Sequence, residues 1–152
     1  MRYIFLSVLF AATLAGGNAM AAGNPGAFAG NWTITAAKTA PWADPAHPVA
    51  DDGERAALLN GGVVITAKKI TGPKQVACSD PHYGIKTYTP DMLFQGGLKT
   101  PATDAPALGF KSNAIKVLET GCENEIDWQM ADDGSLEFGL NDYVYVLTKK
   151  AK

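Results

Sequence analysis

The chain has 152 residues, 47% of them hydrophobic, 18% charged and 9% aromatic. That length fits one domain, and a hydrophobic fraction this high with so modest a charge argues against wholesale disorder. Thirteen Lys and Arg against fifteen Asp and Glu give a net charge of −2, which leaves no basic excess to grip a phosphate backbone and argues against nucleic acid as a partner.

Met1-Arg2 supplies a positive start, and an apolar run from Tyr3 to Ala15 follows that is too short to span a bilayer comfortably. Ala19-Met20-Ala21 fits a small-x-small cleavage site. Residues 1–21 therefore read as a signal peptide rather than a membrane anchor, and residues 22–152 as a single β-barrel domain, periplasmic or secreted. No second apolar run approaches membrane length, so the mature chain is not expected to span a membrane. Export changes how the two cysteines read. In an oxidising compartment Cys78 and Cys122 most simply form one disulfide. It would close a loop of about 45 residues, worth on the order of 4 kcal/mol if it acts by restricting the unfolded chain.

In chain order, Phe28-Ala29-Gly30-Asn31-Trp32-Thr33-Ile34-Thr35 reads as a strand. Residues 40–60 form a long excursion with three prolines and the acidic cluster Asp51, Asp52 and Glu54, with a short helix expected around 54–59. Gly61-Gly62 then opens the β-branched run Val63-Val64-Ile65-Thr66. Strands are expected near 75–78 and 82–88, split by the turn signal Ser79-Asp80-Pro81. Thr89-Pro90-Asp91 looks like a helix start, with Thr89 as N-cap and Pro90 at the first helical position. One or two helical turns carrying Met92, Leu93 and Phe94 would end at Gly96. Residues 100–106 read as a Pro- and Ala-containing loop.

The C-terminal third has the strongest pattern. Ile126-Asp127-Trp128-Gln129-Met130, Leu136-Glu137-Phe138-Gly139-Leu140 and, in part, Tyr143-Val144-Tyr145-Val146-Leu147 alternate with period two. Asn141-Asp142 suits a two-residue hairpin turn that pairs Leu140 with Tyr143, Phe138 with Tyr145 and Leu136 with Leu147. A turn through Gly134 pairs Met130 with Leu136, Trp128 with Phe138 and Ile126 with Leu140. Both turns put the same apolar set on one face. Further upstream, a two-residue Glu123-Asn124 turn would set Glu119 opposite Trp128 on that face. A three-residue turn would set Thr120 and Cys122 there instead. The second is favoured, because a disulfide cysteine is more often buried than a lone glutamate.

The strands near 32–37, 63–70, 75–78, 82–88, 115–120, 125–130, 136–140 and 143–149 predict an all-β fold. It would be a small antiparallel meander barrel of about eight strands with one short helical segment. Such a barrel has room for a packed interior or one small ligand. Gly30-Asn31-Trp32 resembles the Gly-x-Trp signature of lipocalin-like barrels, and the C-terminal hairpin is similar to that family's closing strands. Lys149-Lys150 lies where a basic residue often packs across that tryptophan. The resemblance covers the two ends of the chain, and the Pro-rich stretch 40–50 and loop 89–106 depart from it. It implies a binding barrel for a small apolar molecule.

His47 and His82 each have an aspartate nearby, Asp44 and Asp80, but a metal needs three or four converging ligands. They read as turn residues beside proline, and no metal or other cofactor is expected. No nucleophile motif surrounds Ser79 or Ser112, and a disulfide occupies the Cys78 that could pair with His82, so no catalytic residue is assigned. No dinucleotide or phosphate-loop glycine pattern occurs. The leading expectation is an exported, non-enzymatic binding protein for a small hydrophobic or amphipathic ligand. Its pocket would be lined by Trp128, Met130, Phe138 and Tyr145, with segment 92–94, including Phe94, as a lid and Trp42 as an aromatic on a loop. The alternative is a periplasmic protein-binding module, such as an inhibitor of a secreted enzyme, using loops around Trp42, His82 and Phe94. An enzyme whose chemistry the sequence hides stands third.

Overall fold

The computed structural model describes residues 23–46 and 53–151. The expected signal peptide, His47 and the acidic pair Asp51 and Asp52 lie outside them. The strands are β1 (Gly30–Thr39), β2 (Gly62–Ile65), β3 (Ile70–Thr71), β4 (Gly84–Tyr88), β5 (Ile115–Glu119), β6 (Trp128–Met130), β7 (Leu136–Leu140) and β8 (Tyr143–Lys149). They build one curled antiparallel sheet in the order β3-β2-β1-β8-β7-β6-β5-β4. Among the described residues the fold is all-β and barrel-like, with two short helices, α1 (Gly53–Leu58) and α2 (Pro101–Leu108), and two 3-10 segments, Gly26–Phe28 and Pro90–Gly96.

The C-terminal register is the expected one. β7 pairs with β8 as Leu136↔Leu147, Phe138↔Tyr145 and Leu140↔Tyr143, around an Asn141 held at φ 51°. β6 meets β7 as Met130↔Leu136, with Gly134 at φ 83° in the turn. β5 meets β6 as Leu118↔Trp128, a register that neither short hairpin gives; a turn does form at Glu123-Asn124, where the Glu125 amide donates to Cys122 O, but it lies inside a longer loop of residues 120–127. The facing still follows the favoured reading, because a slip of two residues preserves the face. Thr120 and Cys122 are buried, while Glu119 turns to the other side and accepts a hydrogen bond from the Tyr88 hydroxyl at 2.7 Å.

Three expected elements are corrected. The run 63–70 is a hairpin rather than one strand. The Thr66 hydroxyl donates to Lys69 O and accepts from the Lys68 and Lys69 amides, folding β2 back as β3. Segment 75–78 contributes a single bridge, Ile70↔Cys78, because Pro73 starts a turn that takes up the Val76 and Ala77 amides. Residues 101–108 form α2, not a loop. Pro101 sits at the helix start, the Asp104 carboxylate accepts from the Thr100 amide at 2.7 Å, and Gly109 ends the helix at φ 113°. Pro106 removes one backbone donor, but Ala105 and Leu108 bury against the sheet and hold the helix there.

The ladder stops between β3 and β4, and other contacts close that seam. Ile70 and Cys78 exchange backbone bonds of 2.8 and 2.9 Å, and Cys78 is joined to Cys122 by the expected disulfide. The Asn124 side-chain Nδ2 donates to Gln75 O, and the Tyr83 hydroxyl to Thr66 O. Inside the curl, Trp32, Trp128, Phe138, Tyr145, Leu136 and Leu147 pack in one cluster. A second core lies on the outer face. There Ile115, Val117 and Val144, pointing away from the first cluster, meet Leu93, Leu98, Ala105, Leu108 and Phe110 from the helical segments.

Candidate functional site

The interior is filled. The Phe138 and Tyr145 rings stack at 5.1 Å, Trp128 meets Phe138 edge-on at 5.1 Å, and all three are 0% exposed. Met130 packs against the same cluster. Four of the six residues expected to line a pocket are thus brought together inside the sheet. Trp42 and Phe94 lie on the outer face, where they wall a groove of about 550 Å³.

Trp42 follows β1 in a turn tied to the β7–β8 hairpin by the Ala40 amide, which donates to Asp142 O. Its indole N–H donates to Asn141 O at 2.6 Å. The ring lies between two glycines. A Cβ at Gly139 would stand 3.0 Å from Trp42 Cη2 and 3.3 Å from Phe94 Cδ1, and one at Gly97 would stand 3.2 Å from Trp42 Cε3. Glycine at both positions is what leaves room for the indole against β7. The Asn141 side chain, at the groove's rim, donates to Glu54 of α1 at 2.7 Å.

The expected helical turns at 90–96 are interrupted. Thr89 makes no side-chain cap bond, Leu93 is extended, and Phe94 and Gln95 both adopt left-handed backbone, at φ 49° and 58°. Such conformations cost a side-chain-bearing residue on the order of 1 kcal/mol each and persist only where surroundings hold them. Here the reversal buries Leu93 in the outer core and brings the Phe94 ring to 5.4 Å from Trp42 and 6.0 Å from Phe110. Met92 is left 45% exposed on the groove wall.

The rest of the lining is largely polar. It comes from the β5–β6 loop with Asn124, Glu125 and Asp127, from Gln129, and from Gln95, whose amide donates to Glu125 O at 3.2 Å. Tyr88 lines the same groove. Its phenol is pushed up to about 12, first by its hydrogen bond to Glu119, then by burial and the charges of Glu119 and Asp127. Burial also raises the Asp127 carboxyl, against the Thr120 amide that donates to it, and the charge of Glu119 adds to the rise. A second cleft of about 450 Å³, lined by His82, Glu119 and Thr120, shares Gln95, Glu125 and Asp127 with the first. Among the described residues no three of His, Cys, Asp and Glu are grouped to hold a metal ion. No helix among them is long and apolar enough to cross a membrane.

Sequence reasoning passes over Tyr88, Gln95, Glu125, Asp127 and Gly139. Gly139 alone carries a usable signal, since a glycine inside an alternating strand marks close approach by another group. Compared with family models, curated proteins and solved structures, the chain matches none.

Proposed function

We propose that this chain is an exported, non-enzymatic binding protein for a small hydrophobic or amphipathic molecule, built on a lipocalin-like scaffold and seated at the outer groove. The groove itself carries the reading. It has the size of a small-molecule site and is lined by aromatic side chains and a few polar groups. The strain at Phe94 and Gln95 supports it, because strained backbone gathers where a surface must be held in one shape. The intramolecular disulfide favours an oxidising compartment and hence export. Lys149 Nζ, 5.1 Å over the Trp32 ring, supports the lipocalin-like reading. The protein-binding alternative draws on Met92, an exposed methionine beside Trp42 and Phe94.

The test is titration with an environment-sensitive dye. Trp42→Ala is expected to weaken dye binding by about tenfold or more, a loss of about 1.4 kcal/mol. Phe138→Leu, which reshapes the interior while keeping it apolar, is expected to leave binding unchanged. The reverse pattern would move the ligand inside the curl. No binding to the unaltered protein would favour a protein partner.

A further inference from the structure

Parts of the groove's lining differ in charge as well as in polarity. One part is the apolar surface of Trp42, Phe94 and Met92. Another carries Glu125 and Asp127, and Glu119 stands in the adjoining cleft. Among the described residues neither cleft is lined by a lysine or an arginine. Lys86, two residues along β4 from the Gly84 that pairs with Glu119, is exposed and lines neither. The Lys38–Glu137 ion pair lies elsewhere. Asp127 is partly buried and feels the charge of Glu119, so its carboxylate loses hydration and is repelled, and a cation beside it offsets both costs.

Resting on the groove as the ligand's seat, we infer that its ligand is an apolar, preferably aromatic, molecule bearing a protonated amine. The apolar body lies on Trp42 and Phe94, and the ammonium donates to Asp127 and Glu125. Anionic amphiphiles such as fatty acids are repelled from this wall, so charge separates this ligand class from the general run of hydrophobic ligands.

Calorimetric titration with tryptamine, its neutral alcohol analogue tryptophol and the anionic indoleacetate tests the inference. These probes share one aromatic body and differ in charge. Tryptamine is expected to bind at least about tenfold more tightly than tryptophol, with indoleacetate weakest. Added salt should reduce the affinity for tryptamine and leave that for tryptophol unchanged. Asp127→Asn combined with Glu125→Gln should bring tryptamine down to the level of tryptophol. The salt series needs no variant and stands if that double variant does not fold. Tryptophol binding that Trp42→Ala abolishes, with no preference for tryptamine, would keep the groove and overturn the amine. Failure of all three probes to bind would overturn the groove as well.

Discussion

Glu137 alternates with the inward-facing Leu136 and Phe138, so it points to the outer face, yet α2 and its neighbours leave it 1% exposed. Burial pushes its carboxyl up to about 7, against the lowering effect of the Lys38 ammonium 3.0 Å away. Lys38 also donates to Leu108 O, at the end of α2, at 3.1 Å, so one side chain ties β1, β7 and the helix together. A carboxylate with a raised folded pKa binds its proton more tightly in the folded state. Its contribution to stability is therefore fully present below the ordinary value of 4.5 and is lost as pH rises to about 7. The full difference is on the order of 3 kcal/mol. Urea unfolding at about pH 5 and about pH 8 should accordingly show a larger drop for the unaltered protein than for Glu137→Gln, which cannot titrate. Equal drops would mean that Glu137 does not titrate in that window.

Among the elements, the 3-10 turn Gly26–Phe28 and the start of β1 form one fixture. The Trp32 indole N–H donates to Phe28 O at 2.9 Å, and Lys149 of β8 lies over the indole and reaches Ala27 O. Trp32 and Phe28 are 1% and 2% exposed within the inner cluster. Trp32→Ala should cost about 3–5 kcal/mol in denaturant unfolding, the range for deleting a buried aromatic ring. Trp32→Phe keeps most of the packing and should cost less, near the net worth of one hydrogen bond, about 1 kcal/mol, plus the smaller ring. A cost below about 1 kcal/mol for the alanine variant would contradict a core role for this residue. The β6–β7–β8 meander was legible because Gly134 and Asn141 sit where positive φ is needed and the residues between them alternate strictly. Helix α2 was not, because its two prolines mask a segment whose helicity comes from burying Ala105 and Leu108. The hairpin at Thr66 was hidden by a β-branched run that suits either one strand or two.

Across the whole molecule, the sheet is continuous except at the β3–β4 seam, and the disulfide sits on it. Replacing both Cys78 and Cys122 by Ser should cost about 3–4 kcal/mol, given the sequence separation of 44. Amide exchange should quicken first around Ile70 and Cys78, whose backbone bonds lie at the seam, while β7 and β8 stay protected. Uniform quickening would show that the bond stabilises the fold without a special role at the seam. The groove was only half legible. Trp42 and Phe94 stand out in the sequence as aromatics in loops, but the slot that holds Trp42 needs Gly97 and Gly139 from distant segments. Its polar wall comes from a loop whose register the turn rules left open. The expected pocket residues Trp128, Phe138 and Tyr145 do share a face as read, and their own size fills the space they enclose.

The most direct test of the outer groove as the binding site is amide chemical-shift mapping during titration with the dye. Shifts are expected to gather at Gln95, Gly96, Asp127, Gly139 and Asn141, which line the groove, and to leave Ile34, Leu136 and Leu147 of the inner cluster unmoved. Shifts centred on Ile34, Leu136 and Leu147, with the groove residues silent, would contradict it.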